Sequence, residues 1–261
     1  METEGLRSQA LLLAAHGSAI NAEAGAAARG IADGIRMRAL FDDVRAAFLR
    51  QDPPLDAALE ALRADDIYVV PLLLSEGVHA RDSIPRALGL TGPVTRRGGR
   101  TIHLTPPVGT HPRIREAVLR RAALASDLAP AHRAAAALIL IGHGNPDDPD
   151  AAATVEAAAD AVRRDGPYAL VATGYIEQEP NIRDVVDRVQ APDLVLVPFF
   201  IAEGFHTRQT IPRLLGLTGA HTVRSGRTLW YARPVGTDPV IVDIVLDRAR
   251  AAGARVRQPL P

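Results

Sequence analysis

Four of the eight histidines in this 261-residue chain fall in two matching settings. His16 and His143 each follow a short apolar run and precede a glycine, Gly17 and Gly144. His79 and His206 each close a Glu-Gly-x-His segment, which brings Glu76 and Glu203 with it. Neutral imidazoles bind borderline divalent metals, and a carboxylate can complete such a site or accept protons. Glu177 offers that carboxylate beside the second set, where the first has Arg50. Two imidazoles and a carboxylate, without a thiolate, suit Co, Fe, Ni or Zn better than an all-oxygen Ca or Mg cage. Cysteine is absent, which excludes disulfides, thiolate metal sites and cysteine nucleophiles. His103, His111, His132 and His221 do not recur in a matching setting and read as surface or packing residues.

The matching settings belong to an internal duplication with a constant offset of 127 residues. Residues 70–92 and 197–219 are identical at 14 of 23 positions, far beyond coincidence. A second block pairs Pro107-Val108-Gly109-Thr110 with Pro234-Val235-Gly236-Thr237. The period far exceeds the roughly 20–50 residues of solenoid units, so each copy must be a small lobe. The Ala/Pro/Arg-rich stretch 127–135 marks the boundary, giving lobes over 1–130 and 131–261.

Each copy places its histidines on the same series of elements. The apolar runs 11–15 and 138–141 read as buried strands, with Ala-rich helices following near 22–37 and 151–164. Second strands are expected at 44–49 and 170–176, and helices near 55–63 and 181–189. Third strands at 67–74 and 194–201 run into the Glu-Gly-x-His loops. Short helices open at each Ile-Pro, where proline suits a first turn. Fourth strands lie near 101–104 and 228–232, and last helices begin near Pro112 and Pro239. Strands alternating with helices predict an α/β fold of two tandem lobes, each a parallel four-stranded sheet flanked by helices. The four histidines then fall outside the carboxyl ends of the strands, where such sheets bind ligands.

Composition narrows the partners. Thirty basic residues, all arginine, balance thirty acidic ones. Zero net charge argues against nucleic acid and against an anionic membrane surface as partners. The first apolar run is too short for a signal sequence, and no stretch approaches the roughly 20 apolar residues that span a bilayer. The expectation is a cytoplasmic protein.

Several motifs here resemble, as a set, those of the sirohydrochlorin chelatases, the ATP-independent class II tetrapyrrole chelatases of cobalamin and siroheme biosynthesis. They are the His-Gly-Ser of 16–18, the Glu-x-x-Pro of 177–180, and the Gly-x-His-x-x-x-x-Ile-Pro of 77–85 and 204–212. The resemblance runs over nearly the whole chain, twice, and implies insertion of divalent cobalt, iron or nickel into a tetrapyrrole without a nucleotide. By position, His143, Glu177 and His206 match the family's metal-binding and proton-accepting residues. His16 and His79 match in the first copy, but Arg50 stands where a glutamate is expected. Two-lobed relatives often work through their first lobe, so Arg50 moves the expected metal site to the second. Arg50 itself suits a substrate carboxylate, since sirohydrochlorin carries many acetate and propionate groups. The tandem lobes take the place of a homodimer, so a monomer is expected.

Two other readings fit parts of the pattern. A non-catalytic metal-binding or delivery protein would keep the histidines and lack insertion. A histidine-dependent phosphate-transfer protein would need an arginine cluster at His16 or His143, and the latter is followed by Asp147 and Asp148 instead.

Overall fold

Leu11, Leu12 and Leu13 are fully buried in strand β1 (Gln9–Ala15), as a strand covered on both faces requires. In this computed structural model, which describes residues 7–20 and 22–255, β1 is the centre of a five-stranded sheet. It pairs in parallel with β2 (Asp43–Phe48) and β3 (Asp66–Pro71). Beyond β3 lie β4 (Val94–Arg97) and β5 (Arg100–Leu104), in the order β2-β1-β3-β5-β4. Three helices complete this part of the chain: α1 (Ala26–Met37), α2 (Leu55–Ala61) and α3 (Ile84–Leu88). α1 buries Ala28, Ala32 and Ile35 along one stripe. α3 has Pro85 in its first turn and ends at Gly89, which takes a left-handed φ of 62°.

The second copy repeats the design. The connecting helices α4 (Ile114–Ala125) and α5 (Pro130–Arg133) precede β6 (Ala137–Gly142). α6 (Pro149–Asp165), β7 (Leu170–Tyr175), α7 (Ile182–Arg188), β8 (Asp193–Pro198) and α8 (Ile211–Leu215) follow. The strands β9 (His221–Arg224) and β10 (Arg227–Tyr231) and the helix α9 (Val240–Ala251) end the copy. The strand order is β7-β6-β8-β10-β9, matching the first sheet strand for strand. Ile139, Ile141, Leu194 and Leu196 join Ile182 and Ile211 in its core, as Leu12, Val69, Leu59 and Ile84 do in the first.

One expectation changes. The sheets are mixed and five-stranded rather than parallel and four-stranded, because β4 and β9 return antiparallel along β5 and β10. The tight turns Gly98-Gly99 and Ser225-Gly226 have positive φ at both residues, the geometry that matches the twist of a two-residue hairpin. The sequence repeats also differ from the compact units. The first unit joins residues 1–111 to 242–261, and the second comprises 112–241. The last helix of copy one, α4, thus packs in unit 2 against α6 and β8, while most of α9 belongs to unit 1. Each exchanged helix buries an apolar face, with Ala117 and Val118 on α4 and Ile244 and Val245 on α9. Among the described residues no helix is long and apolar enough to cross a membrane.

Candidate metal centre

His16 and His143 stand one residue past β1 and one past β6. The glycines behind them are required twice over. Gly17 and Gly144 have φ of 68° and 80°. A Cβ on Gly17 would also meet Gln51 Cβ at 2.7 Å, and one on Gly144 would meet Gln178 Cγ at 2.7 Å. This close turn brings each histidine carbonyl to the end of the neighbouring strand. The Arg50 N–H donates to His16 O (2.9 Å), and the Glu177 N–H donates to His143 O (2.9 Å). Backbone pairing therefore sets the charged residue beside the histidine, whichever charge it carries.

The second histidine of each pair opens a π-helical turn, His79–Ser83 or His206–Thr210, directly before α3 or α8. The imidazole centroids are 4.7 Å apart in both units. At that spacing one nitrogen from each ring can reach a common ion at about 2.1 Å. Nδ1 of His16 lies 2.9 Å from Gly17 O, and Nδ1 of His143 lies 2.8 Å from Gly144 O. A carbonyl only accepts, so Nδ1 carries the proton and Nε2 keeps a lone pair for a metal. His79 Nδ1 bonds Ser83 Oγ at 3.1 Å, whereas His206 Nδ1 is buried without a hydrogen bond.

The units differ in what surrounds their rings. In unit 2 Glu177 Oε2 lies 3.6 Å from His143 Nδ1, on the side of the ring turned to Gly144 O, so His143 has both His206 and Glu177 as neighbours. In unit 1 the matching side chain is Arg50, exposed and with no hydrogen bond or ion pair among the described residues. Phe200 lies 6.4 Å from the His143 ring and 6.3 Å from that of His206, and Phe205 lies 5.9 Å from His206. Leu73 and Val78 hold these places in unit 1. Burial, and then the charge of His143, push the His206 pKa below its usual value, while Glu177 opposes them. A neutral His206 is the form that binds metal.

Among the described residues no group of three or more His, Asp or Glu side chains is placed to hold a metal ion together. Each unit has an open pair of imidazoles, with a carboxylate at hand in unit 2. Glu203 is engaged by two arginines. Its Oε2 accepts from Arg208 (2.8 Å) and its Oε1 from Arg233 (2.6 Å), and these guanidiniums hold its pKa low.

Sequence reasoning passed over Phe200 and Phe205. The signal available was the replacement of Leu73 and Val78 by aromatics inside the repeated block, in a chain with few aromatic residues.

The chain matches the CbiX family twice, over residues 10–125 and 137–252. It is 34% identical to a Halobacterium salinarum protein named "Probable sirohydrochlorin cobaltochelatase", over 95% of this chain and 93% of that one. It is 32% identical to the sirohydrochlorin cobaltochelatase of Methanopyrus kandleri, which covers 44% of this chain over 96% of its own length. Among solved structures, DR2241 from Deinococcus radiodurans, a multi-domain protein with structural similarity to chelatases, aligns with a TM-score of 0.80 at 29% identity. That alignment covers 93% of this chain but only 54% of DR2241.

Proposed function

The chain belongs to the CbiX family, and from that premise we infer that it is an enzyme, a metal chelatase that inserts a divalent ion into sirohydrochlorin. One observation carries the reading: two imidazoles with centroids 4.7 Å apart, one at the end of a strand and one opening the π-helical turn that follows the adjacent strand, with Glu177 beside His143 in unit 2. Cobalt is the metal favoured by the names of the relatives, and iron and nickel suit the same donors. The product enters cobalamin or siroheme synthesis according to the metal inserted.

Unit 2 is the working site in this reading. His143 and His206 receive the ion through ring nitrogens and pass it to the macrocycle. Each insertion places one M²⁺ in the ring and releases two pyrrole N–H protons: Glu177 takes one before handing it to water, and the other passes directly to solvent water. Phe205, 64% exposed beside His206, offers an apolar face to the flat ring. In unit 1, His16 and His79 form a weaker metal site, and Arg50 binds a carboxylate of the substrate, for which a guanidinium fork is well shaped. Arg50 is exposed and its side chain makes no hydrogen bond or ion pair among the described residues, which supports that role.

The test is anaerobic incubation of the protein with sirohydrochlorin and Co²⁺, Fe²⁺ or Ni²⁺, following the macrocycle's absorption. Catalysed appearance of the metallated spectrum, above the rate without protein, is expected. Tight metal binding without faster insertion would make the chain a metal-delivery protein instead.

A further inference from the structure

Two arginines, Arg121 buried and Arg248 partly buried, occupy equivalent places in the repeats, and neither belongs to the proposed metal centre. Arg121 lies on α4 and Arg248 on α9, so each is carried by the helix that its repeat contributes to the other compact unit. In unit 2, Arg121 Nη2 donates to Thr237 O (2.5 Å), and its Nε lies 3.3 Å from Asp238 Oδ2. The Asp238 side chain is fully buried and also accepts from Arg120. In unit 1, Arg248 Nη2 donates to Pro107 O (3.0 Å) and Thr110 Oγ1 (2.7 Å). Both guanidiniums therefore grip the recurring Pro-Val-Gly-Thr turn.

The other side of that turn touches the loop that leads to the metal-site histidine. The Gly109 N–H donates to Leu73 O (3.0 Å), and the Gly236 N–H donates to Phe200 O (2.9 Å). A Cβ on Gly109 would sit 2.1 Å from Leu74 O, and one on Gly236 2.0 Å from Ile201 O. Backbone meets backbone there, and only glycine permits it. Five or six residues on from these contacts come His79 and His206, and the Phe200 ring itself lies against both imidazoles of unit 2. The links are contiguous: arginine, turn, loop, histidine.

A charged group is a costly choice for these positions. Burial lowers the pKa of both arginines, and the Nε of each is buried without a hydrogen bond. At Arg248 an apolar side chain of the same volume would fill the space without that penalty, whereas at Arg121 it would leave the buried Asp238 to Arg120 alone. What the guanidinium adds is an oriented bond to the turn. We propose that Arg121 and Arg248 are positioning residues for the metal-site loops: Arg121, from repeat one, sets His206, and Arg248, from repeat two, sets His79. Each copy of the duplication thereby aligns the histidine of the other.

The experiment compares Arg121→Met and Arg248→Met in the full chain, with Arg121→Lys and Arg248→Lys as conservative partners. One readout, the ring ¹H–¹³C resonances of His79 and His206, needs no metal. A second is Co²⁺ affinity, read for each unit separately after replacing the histidines of the other unit by alanine. This readout rests on the proposed function, and the first does not. Arg121→Met is expected to move the His206 resonances, leave those of His79 in place, and weaken Co²⁺ at unit 2 about tenfold, the scale of a lost outer hydrogen-bond partner. Arg248→Met is expected to do the mirror image, and the lysine variants to recover part of each loss. Equal disturbance of both histidines, or none, overturns the proposal. Should circular dichroism show a methionine variant unfolded, its lysine counterpart, which keeps stem and charge but loses the planar fork, decides on the same criterion. If the parent chain binds no Co²⁺, the metal reading fails while the resonances still judge the positioning.

Discussion

The two metal-site regions share a scaffold and differ in what lines it. Both set two imidazoles 4.7 Å apart by the same glycine turn and the same π-helical turn. Unit 2 adds Glu177, Phe200 and Phe205, where unit 1 has Arg50, Leu73 and Val78. A fixed positive charge beside His16 opposes a divalent cation and favours an anion, so in the proposed reading the same frame is suited to different ligands. The difference shows that strand-end geometry and ligand preference are separable: the backbone places a residue, and its side chain then decides what it meets.

The largest test of this contrast is removal of the imidazoles. His143→Ala or His206→Ala should lower insertion by 100-fold or more, by rough analogy with loss of a principal catalytic group, whereas His16→Ala or His79→Ala should cost less than about tenfold. Steady-state rates with Co²⁺ check it, and a larger loss in unit 1 would reverse the assignment.

Exchange of the charged residue sharpens the contrast next. Glu177→Gln should slow insertion about 10²-fold while weakening metal binding less, provided that the carboxylate acts chiefly as proton acceptor. Metal titration and turnover on one preparation separate the roles, and equal losses would make Glu177 a ligand first. Conversely, Arg50→Glu should strengthen Co²⁺ binding at unit 1 and raise the KM for sirohydrochlorin. An unchanged KM would remove the carboxylate-binding role of Arg50.

A smaller effect is expected from the aromatic rim. Phe205→Ala should raise the KM about three- to tenfold with little change in kcat, as loss of one apolar contact of 1 kcal/mol or so predicts. A fall in kcat alone would instead assign Phe205 to setting His206.

The smallest effect concerns stability. Arg208 and Arg233 keep the folded-state pKa of Glu203 low, so its ionised form binds them more tightly in the folded chain than in the unfolded one. That contribution is present above the ordinary carboxylate pKa of about 4.3 and is lost as pH falls through the lower folded value. Glu203→Gln should therefore lower Tm by about 2–4 °C at pH 7, with the gap to the parent closing below about pH 4. Melting curves at the two pH values measure it, and a gap that persists in acid would point to packing.

Much of this was determined by the sequence itself. The duplication, the helix and strand alternation and the four recurring histidines follow from a constant offset and from apolar runs bounded by glycine and proline, all of which are local signals. The approach of Glu177 to His143 was also legible, because parallel neighbours end on one edge of their sheet. Tertiary structure alone decided the rest. β4 and β9 were missed because four residues such as Val94–Arg97 have too little pattern to stand apart from a turn, and only pairing along β5 and β10 makes them strands. The exchange of α4 and α9 was invisible for a related reason: an amphipathic helix records that one face must be covered, not which sheet covers it. Nothing in the sequence sets Arg121 and Arg248 apart from the other arginines, since a chain does not record the partners that a guanidinium finds more than a hundred residues away. Local sequence fixes periodicity and backbone freedom, while burial and long-range hydrogen bonds exist only once the chain has closed on itself.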